Sequence, residues 1–204
     1  DLGQTLLVLL SWSVLIFTSG ISIIFLLILF LISIIAISYL VIFVPKFGYI
    51  KNRLLSFFDK EMGTYNFQSD KAIESIISGS FFGKGIGEGT LKNRVPEAHT
   101  DYIISVISEE FGVIAIILIL LLFLIFIYSV FKKVYFENEE RVKLILVGCM
   151  SLILMQVIIH VGVNIRLFPT TGMTLPYISY GGSSIISVSI LSGIILNLTK
   201  RKIN

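Results

Sequence analysis

The residues with the clearest capacity for chemistry lie together in Val95–Asp101, which reads Val-Pro-Glu-Ala-His-Thr-Asp. Carboxylates such as Glu97 and Asp101 act as general bases or bind divalent cations, and His99 can exchange a proton near neutral pH. Each residue alone also has a structural interpretation, with Thr100 as the N-cap of the following helix and Asp101 as a carboxylate in its first turn. We expect no dedicated metal cage, because no further His, Cys or carboxylate stands at ligand spacing.

A glycine-rich segment, Gly83–Gly89, precedes this motif. It does not match a P-loop, which needs four residues between its first glycine and Gly-Lys and a Ser or Thr after the lysine. It does not match a dinucleotide-binding loop either, because no strand is predicted before it. A tight surface turn is the better interpretation, since alternate glycines permit positive φ and close backbone approach.

A third candidate segment begins the charge-free stretch Leu167–Thr199. Its first half is crowded by residues that break helices: Pro169, Gly172, Pro176, Gly181 and Gly182. We interpret 166–183 as irregular backbone that lies at the membrane surface or is re-entrant. Such backbone survives at membrane depth only when it is buried in protein or lines a wet cavity, so the loop is a candidate site.

The composition defines the elements that must position these segments. Hydrophobic residues make up 55% of the 204 residues and charged residues only 14%, with a mean hydropathy of +0.95. A soluble domain carries roughly 25% charge, so this chain cannot cover a water-exposed globule, and disorder, collagen and disulfide scaffolds are excluded as well. The single cysteine, Cys149, lies in an apolar run as a small core residue. A net charge of +3 is too weak to indicate a nucleic-acid partner.

We predict an all-α polytopic membrane protein, a single membrane domain of about five transmembrane helices. The predicted spans lie near 2–18, 21–44, 102–131, 144–165 and 178–198, with a long outer loop at 45–101 and the re-entrant-like loop at 166–183. Within the outer loop, apolar and basic residues mix in Tyr49–Glu61, and isoleucines recur at helical spacing in Asp70–Phe82. These patterns predict two short interfacial helices, the second capped by Asp70.

Basic residues in the short loops set the predicted orientation. They lie between the third and fourth spans and after the fifth: Lys132, Lys133, Arg141, Lys143, Lys200, Arg201 and Lys202. Short loops rich in Lys and Arg stay in the cytoplasm, whereas long segments cross with little regard to charge. We therefore place the C-terminus in the cytoplasm and 45–101 outside. An odd number of spans puts residue 1 outside, and the opening Asp-Leu-Gly without Met indicates a fragment that lacks N-terminal spans.

Three blocks of the sequence resemble the SEDS family (shape, elongation, division and sporulation), polytopic peptidoglycan glycosyltransferases. The blocks are Gly79–Gly89 with Lys92, Val95–Asp101 with the following Glu109–Gly112, and Pro169–Ser184. The opening Asp1-Leu2-Gly3 resembles the end of the family's Pro-Asp-x-Gly element. The likeness covers essentially the whole chain, as the C-terminal half of a ten-span protein.

The residues of the second and third blocks resemble those of division members more than those of elongation members of the family. Two residues depart from that pattern: His160 stands where division members often have Asn, and Arg166 where many have Gly.

The resemblance implies polymerisation of lipid II, an undecaprenyl-diphosphate-linked disaccharide-peptide, into β-1,4 glycan strands during cell division. This would occur at the outer (periplasmic) face of the bacterial inner membrane. The family's proposed catalytic Asp matches Asp101. An α-linked donor that gives a β-linked product needs a single inverting displacement, for which one general base suffices, unlike the carboxylate pair of glycoside hydrolases.

The other site residues follow from the same resemblance. Lys84, Lys92 and Arg94 are candidates for holding the diphosphate, and a solvated loop face is an equal alternative for each. Glu97 and His99 either orient Asp101 or help to bind Mg²⁺ or Mn²⁺ shared with the substrate diphosphate. Substrate binding is further implied for Thr100, Pro169, Thr170, Gly172, Ser179, Tyr180, Gly181 and Gly182. Glu109 and Glu110 are interpreted as support or cavity lining rather than as catalysts.

Three alternatives stay open at this point. A lipid II flippase would also show irregular backbone beside a proline- and glycine-rich loop. A non-catalytic division scaffold would position a partner synthase, and an elongation enzyme would share the chemistry. The partners implied by the family are lipid II, a class B penicillin-binding transpeptidase and other division proteins.

Overall fold

The computed structural model describes residues 2–44, 63–95 and 97–200, with the isolated positions 48, 50 and 57. Within these residues all regular structure is helical, so the predicted all-α class is confirmed. The helices are α1 Leu2–Thr18, α2 Ile23–Phe43, α3 Gly63–Gly79, α4 Leu91–Arg94, α5 Ile103–Phe136, α6 Glu140–Asn164 and α7 Gly182–Lys200.

Among the described residues, four helices are long and apolar enough to cross a membrane: α2, α5, α6 and α7. The first predicted span, α1, is apolar but only 17 residues long. Three helix ends differ by four or five residues from the predicted bounds: the end of α5, the start of α6, which lies at Glu140 rather than at residue 144, and the start of α7. Helix α5 continues past residue 131 because Lys132 and Lys133 can remain helical while their ammonium groups reach the interface. Helix α7 begins only at Gly182, because the turn after Pro176 delays it.

Helix α6 forms the centre of the packing. Helix α1 runs antiparallel to it, since Gly3 lies against Thr171 just beyond the end of α6 and Gly148 near its start faces Leu15. Helices α5 and α7 pack on other sides of α6 around Ile153, which is fully buried. Within the described ranges α2 packs only against α1 and buries none of its residues, as expected for a lipid-facing helix.

The helix directions give the bundle two distinct ends. One end, which we call the Asp101 end, gathers the starts of α1, α5 and α7 with the end of α6. The other end carries the described cations on which the predicted orientation rests: Lys132, Lys133, Arg141, Lys143 and Lys200. Which end faces the cytoplasm stays a prediction.

The long loop differs from its prediction in one helix. Helix α3 begins at Gly63, so Asp70 lies inside it and the predicted cap is wrong. The Asp70 carboxylate instead forms an ion pair with Arg166, just beyond the end of α6. The Asp70 charge on this helix is therefore neutralised by a cation at the end of α6. The predicted helix at Tyr49–Glu61 falls outside the described residues except at positions 50 and 57.

Candidate active site

Asp101 lies in a tight turn that immediately precedes α5. The backbone N–H groups of Thr100 and Asp101 both donate to the Glu97 carbonyl at 3.0 Å, and the Thr100 hydroxyl donates to the same oxygen at 2.8 Å. Glu97 itself has a φ of 59°, which closes the turn. The predicted N-cap role of Thr100 is therefore wrong, because α5 begins at Ile103 and the hydroxyl is used inside the turn.

A hydrophobic platform supports this turn from below. Val95, Ala98 and Tyr102 are buried against Ile159 and Val163 on the last turns of α6. These apolar residues stand three and four positions apart, and the side chains of Glu97 and His99 between them are exposed while that of Asp101 is partly exposed. The turn is thus held by its apolar residues, and its chemical groups face away from the core.

Asn164 fixes the backbone at Asp101. Its amide nitrogen donates to the Asp101 carbonyl at 3.0 Å and to the His160 carbonyl at 2.9 Å. Its amide oxygen accepts from the Ser105 hydroxyl at 2.8 Å, and the whole side chain is buried. Asn164 was not among the predicted site residues. The signal that could have indicated it is an amide in an apolar helix, where a polar side chain needs a specific partner.

The loop 166–181 closes over the turn. The Ser179 hydroxyl donates to the Thr100 carbonyl at 2.7 Å, and the Tyr180 N–H donates to the His99 carbonyl at 3.1 Å. These bonds join two segments that are far apart in sequence. The Tyr180 side chain itself is exposed, so its backbone rather than its ring holds the turn.

Gly172 brings this loop directly to the Asp101 carboxylate. A Cβ atom added at Gly172 would lie 3.7 Å from Asp101 Oδ2, and the glycine has a φ of +68°. Gly181 is more crowded, because a Cβ there would lie 3.2 Å from a methyl group of Thr174. Gly182 begins α7, and a Cβ added there would have no atom within 4 Å. Pro169 and Thr170 lie in the first part of the loop and are partly buried.

The other side of the loop is held by α6. The Gln156 amide donates to the Thr174 carbonyl at 2.9 Å, and His160 Nδ1 lies 2.6 Å from the Met173 carbonyl. Together with Asn164 these side chains recur every fourth residue and therefore share one face of α6. We call Gln156, His160 and Asn164 the polar ladder. It fixes both the loop and the Asp101 turn to one rigid helix.

A cavity of about 590 Å³ lies beside this site, between α1, α6, α7 and the loop. Its polar lining comes mainly from amides and hydroxyls: Gln4, Gln156, Thr174, Ser183, Ser184 and Ser187. Its apolar lining comes from Leu7, Val8, Leu152, Val188, Ile190 and Leu191. Gly172 lines the cavity and also faces Asp101, so this glycine lies between the cavity and the carboxylate. A mixed lining of this kind suits an amphiphilic ligand.

The environment of Asp101 makes its carboxylate a stronger base. Burial raises the pKa of Asp101, the neighbouring Glu97 carboxylate raises it further, and a hydrogen bond from the Thr100 side chain opposes both effects. Within the described ranges, no three His, Cys, Asp or Glu side chains group together as metal ligands. Two adjacent carboxylates suit a divalent cation that takes its remaining ligands from substrate and water.

The predicted diphosphate-binding lysines are both held by glutamates of α5. Lys84 Nζ lies 2.9 Å from Glu109 Oε1, and Lys92 Nζ lies 3.1 Å from Glu110 Oε1. Glu109 is 1% exposed and also accepts from the Leu91 N–H at 2.9 Å. Glu109 and Glu110 thus support the loop, as the sequence predicted. Arg94 is exposed and forms no ion pair with any residue that the structure describes.

The glycine-rich segment forms turns that interlock with a break in α5. Gly112 has φ 83° and ψ 172°, which interrupts the helix and frees backbone groups on either side. The N–H groups of Lys84 and Gly85 donate to the carbonyls of Glu109 and Glu110 at 2.9 and 3.1 Å. A Cβ at Gly112 would lie 2.1 Å from the Phe81 carbonyl, so only glycine permits this approach.

The fold and site together define a helical membrane protein in which a carboxylate of raised pKa lies under a proline- and glycine-rich loop, next to a residue that lines a cavity. A family model described as "Cell cycle protein", of the FtsW, RodA and SpoVE proteins, matches residues 1–204, and the chain belongs to this family. The SEDS resemblance is therefore confirmed.

Curated relatives carry the name "Probable peptidoglycan glycosyltransferase FtsW". The protein of Buchnera aphidicola subsp. Baizongia pistaciae is 34% identical over 208 residues, which cover 97% of this chain and 53% of the relative. That of Trichlorobacter lovleyi is 32% identical over 202 residues, covering 98% and 52%. The chain spans about half the length of these relatives.

A solved structure gives the same likeness in three dimensions. It is described as showing structural coordination of polymerization and crosslinking by a peptidoglycan synthase complex. The superposition has a TM-score of 0.75 at 26% identity and covers 100% of this chain and 57% of that chain. The helical arrangement described above is thus shared with a chain of that complex.

Proposed function

We propose that this protein is a peptidoglycan glycosyltransferase of cell division that polymerises lipid II, with Asp101 as the general base. The observation that carries the proposal is the position of Asp101, whose backbone is fixed by Asn164 and whose carboxylate faces Gly172, a residue that lines the cavity. The names of the curated relatives support the activity and the division role.

The reaction needs one proton acceptor. The 4-hydroxyl oxygen of the acceptor sugar attacks C1 of the donor sugar, and its proton passes to the Asp101 carboxylate. The bond between C1 and the diphosphate oxygen breaks, and undecaprenyl diphosphate leaves with the electron pair. The α-linked donor becomes a β-1,4 linkage by inversion without a covalent enzyme intermediate. A carboxylate with a raised pKa is a better acceptor for this proton.

The diphosphate departs without a protonating acid but needs positive charge beside it. Arg94 is the exposed cation of α4 and can bind phosphate oxygens with its planar fork of donors. Lys84 and Lys92 can contribute only if their pairs with Glu109 and Glu110 are shared with substrate. Glu97 and Asp101 would hold a Mg²⁺ or Mn²⁺ ion, which when bound supplies charge neutralisation to the diphosphate.

The cavity and loop provide the remaining functions in this proposal. The cavity's apolar wall accommodates part of the lipid, while its serines and amides meet the polar head. The loop residues over the Asp101 turn orient the acceptor. A class B penicillin-binding transpeptidase is the proposed partner, which is supported by the likeness to a complex that coordinates polymerization and crosslinking.

The experiment measures glycan polymerisation from purified lipid II by the full-length protein with its transpeptidase partner. Asp101→Asn should reduce the rate by about 10²-fold or more, the usual contribution of a positioned general base. Glu88→Gln is the matched control, because Glu88 is an exposed carboxylate of the preceding loop, and its rate should stay at the wild-type value.

Two results would contradict the proposal in different ways. Equal polymerisation by the wild type and a folded Asp101→Asn variant would keep the enzyme and discard Asp101 as the base. If neither forms polymer and lipid II still crosses vesicle membranes, the flippase replaces the glycosyltransferase.

A further inference from the structure

The turn that joins α3 to α4 carries three large apolar side chains that the described structure leaves uncovered. Phe81, Phe82 and Ile86 are 67%, 84% and 79% exposed, and we call them the apolar tip. Single exposed apolar residues are ordinary, but a cluster of three on one short turn marks an interaction surface.

Backbone hydrogen bonds fix the level of the apolar tip along α5. The Val113 N–H donates to the Ser80 carbonyl at 3.0 Å, and the Ile114 N–H lies 3.5 Å from the Phe81 carbonyl. Val113 begins the charge-free part of α5, which follows directly after Glu109, Glu110, Phe111 and the break at Gly112. The tip therefore lies where α5 passes from its charged first turns into its apolar stretch.

The surface beside the tip is continuous with the lipid-facing side of α5. Exposed apolar residues recur there at helical spacing: Ile114, Ile117, Leu118, Leu121 and Ile125. The tip adds aromatic side chains at the end of this stripe nearest Asp101. Aromatic residues are favoured at the boundary between headgroups and hydrocarbon, where a ring can be partly buried.

The backbone of the tip is suited to such a position. Irregular backbone near hydrocarbon must have its polar groups satisfied within the protein. Here the N–H groups of Lys84 and Gly85 and the carbonyls of Ser80 and Phe81 all pair with α5. The tip can approach lipid without exposing these groups.

Charges on the same turn limit how deep the tip can go. Lys84 is paired with Glu109, and Glu88 is exposed two residues after Ile86. Charged groups stay at the headgroups while adjacent apolar side chains reach inward. We infer that the apolar tip inserts at the headgroup boundary of the leaflet on the Asp101 side and thereby anchors the turn between α3 and α4, which carries Lys84, to lipid.

The test places a nitroxide at Phe82→Cys in the full-length protein, with Cys149 and all other native cysteines changed to serine. The protein is reconstituted in vesicles of phosphatidylethanolamine and phosphatidylglycerol. Collision of the label with O₂, which concentrates in lipid, is compared with collision with a water-soluble nickel chelate, which hydrocarbon excludes. Leu118→Cys is the lipid-facing control, and Asn93→Cys, exposed on α4, is the water-facing control.

The O₂-to-nickel ratio at position 82 should approach that of Leu118→Cys and exceed that of Asn93→Cys several-fold. A ratio equal to that of Asn93→Cys would overturn the inference, because the tip would lie in water. Low collision with both reagents would also overturn it, in favour of a protein partner that covers the tip. Ile86→Cys is the second site, should Phe82→Cys fail to fold. No step of this test requires glycan polymerisation.

Discussion

At the scale of single residues, the candidate base is held mainly through its backbone. Asn164 donates to the Asp101 carbonyl, and the Glu97 carbonyl accepts from the Asp101 N–H. Holding the main chain leaves the carboxylate able to rotate toward a hydroxyl while its origin stays fixed. Positioning of this kind contributes to rate because a misplaced base loses its near-attack geometry.

Asn164 can be tested as a positioning residue by comparing Asn164→Leu with Ser105→Ala. Both variants lose the bond between the Ser105 hydroxyl and the Asn164 amide oxygen, but only Asn164→Leu loses the donor to the Asp101 carbonyl. We expect Asn164→Leu to lower kcat for polymerisation by about tenfold or more with little change in KM, consistent with lost orientation. Ser105→Ala should keep most of its activity.

Thermal unfolding of both variants separates positioning from general destabilisation. Removing a partner of buried polar groups costs about 1–3 kcal/mol, so some loss of stability is expected for each variant. A parallel fall of kcat in both variants, or a rise in KM alone, would show that Asn164 does not position Asp101.

At the scale of elements, the break in α5 is what gives the glycine-rich loop its place. The loop donates to the carbonyls of Glu109 and Glu110, and the two N–H groups after Gly112 donate to the carbonyls of Ser80 and Phe81. Because backbone hydrogen bonds run in both directions, the loop backbone packs directly against the backbone of α5. The pairs Lys84–Glu109 and Lys92–Glu110 then hold the loop from its other side.

The contrast between Gly112→Ala and Gly193→Ala tests this interlock. Alanine at Gly112 would put a Cβ 2.1 Å from the Phe81 carbonyl and would force a positive φ on a residue that disfavours it. Gly193 lies in α7 with nothing within 4 Å, so alanine there should be neutral or stabilising by up to ~1 kcal/mol. Thermal unfolding of the full-length protein should show a clear loss for Gly112→Ala alone. Equal midpoints for the two variants would contradict a rigid interlock.

Sequence periodicity was sufficient for the helical class, because apolar runs without charge leave few alternatives to membrane helices. It failed at Thr100 and Asp70, where a capping pattern was present but tertiary partners used the side chains differently. It could not indicate the partner of Asn164, since pairing across 63 residues follows from the packing of α5 on α6 rather than from local spacing. Gly112 was visible as a glycine in an apolar run, but its partner loop was not.

At the scale of the whole molecule, the site is assembled by four elements that meet at one end. Helix α6 carries the polar ladder, α5 follows the Asp101 turn, and the loop 166–181 connects both to α7 and α1. The cavity opens between α1, α6, α7 and the loop, and most of its lining residues lie on the three helices. In the proposed function, substrate affinity therefore depends mainly on the cavity, whereas base placement depends on the Asp101 turn and Asn164.

This separation predicts that substitutions at two serines of α7 will differ in their effect on KM. Ser187 lines the cavity, whereas Ser189 is exposed and does not line it. Ser187→Trp should fill cavity volume and raise KM for lipid II by about tenfold, or ~1.4 kcal/mol of binding, with kcat nearly unchanged because the Asp101 turn is untouched. Ser189→Trp, the matched control, should leave both constants near wild type. Steady-state polymerisation at varied lipid II measures both, and a fall in kcat for Ser187→Trp at constant KM would show that the cavity serves the chemical step rather than substrate binding.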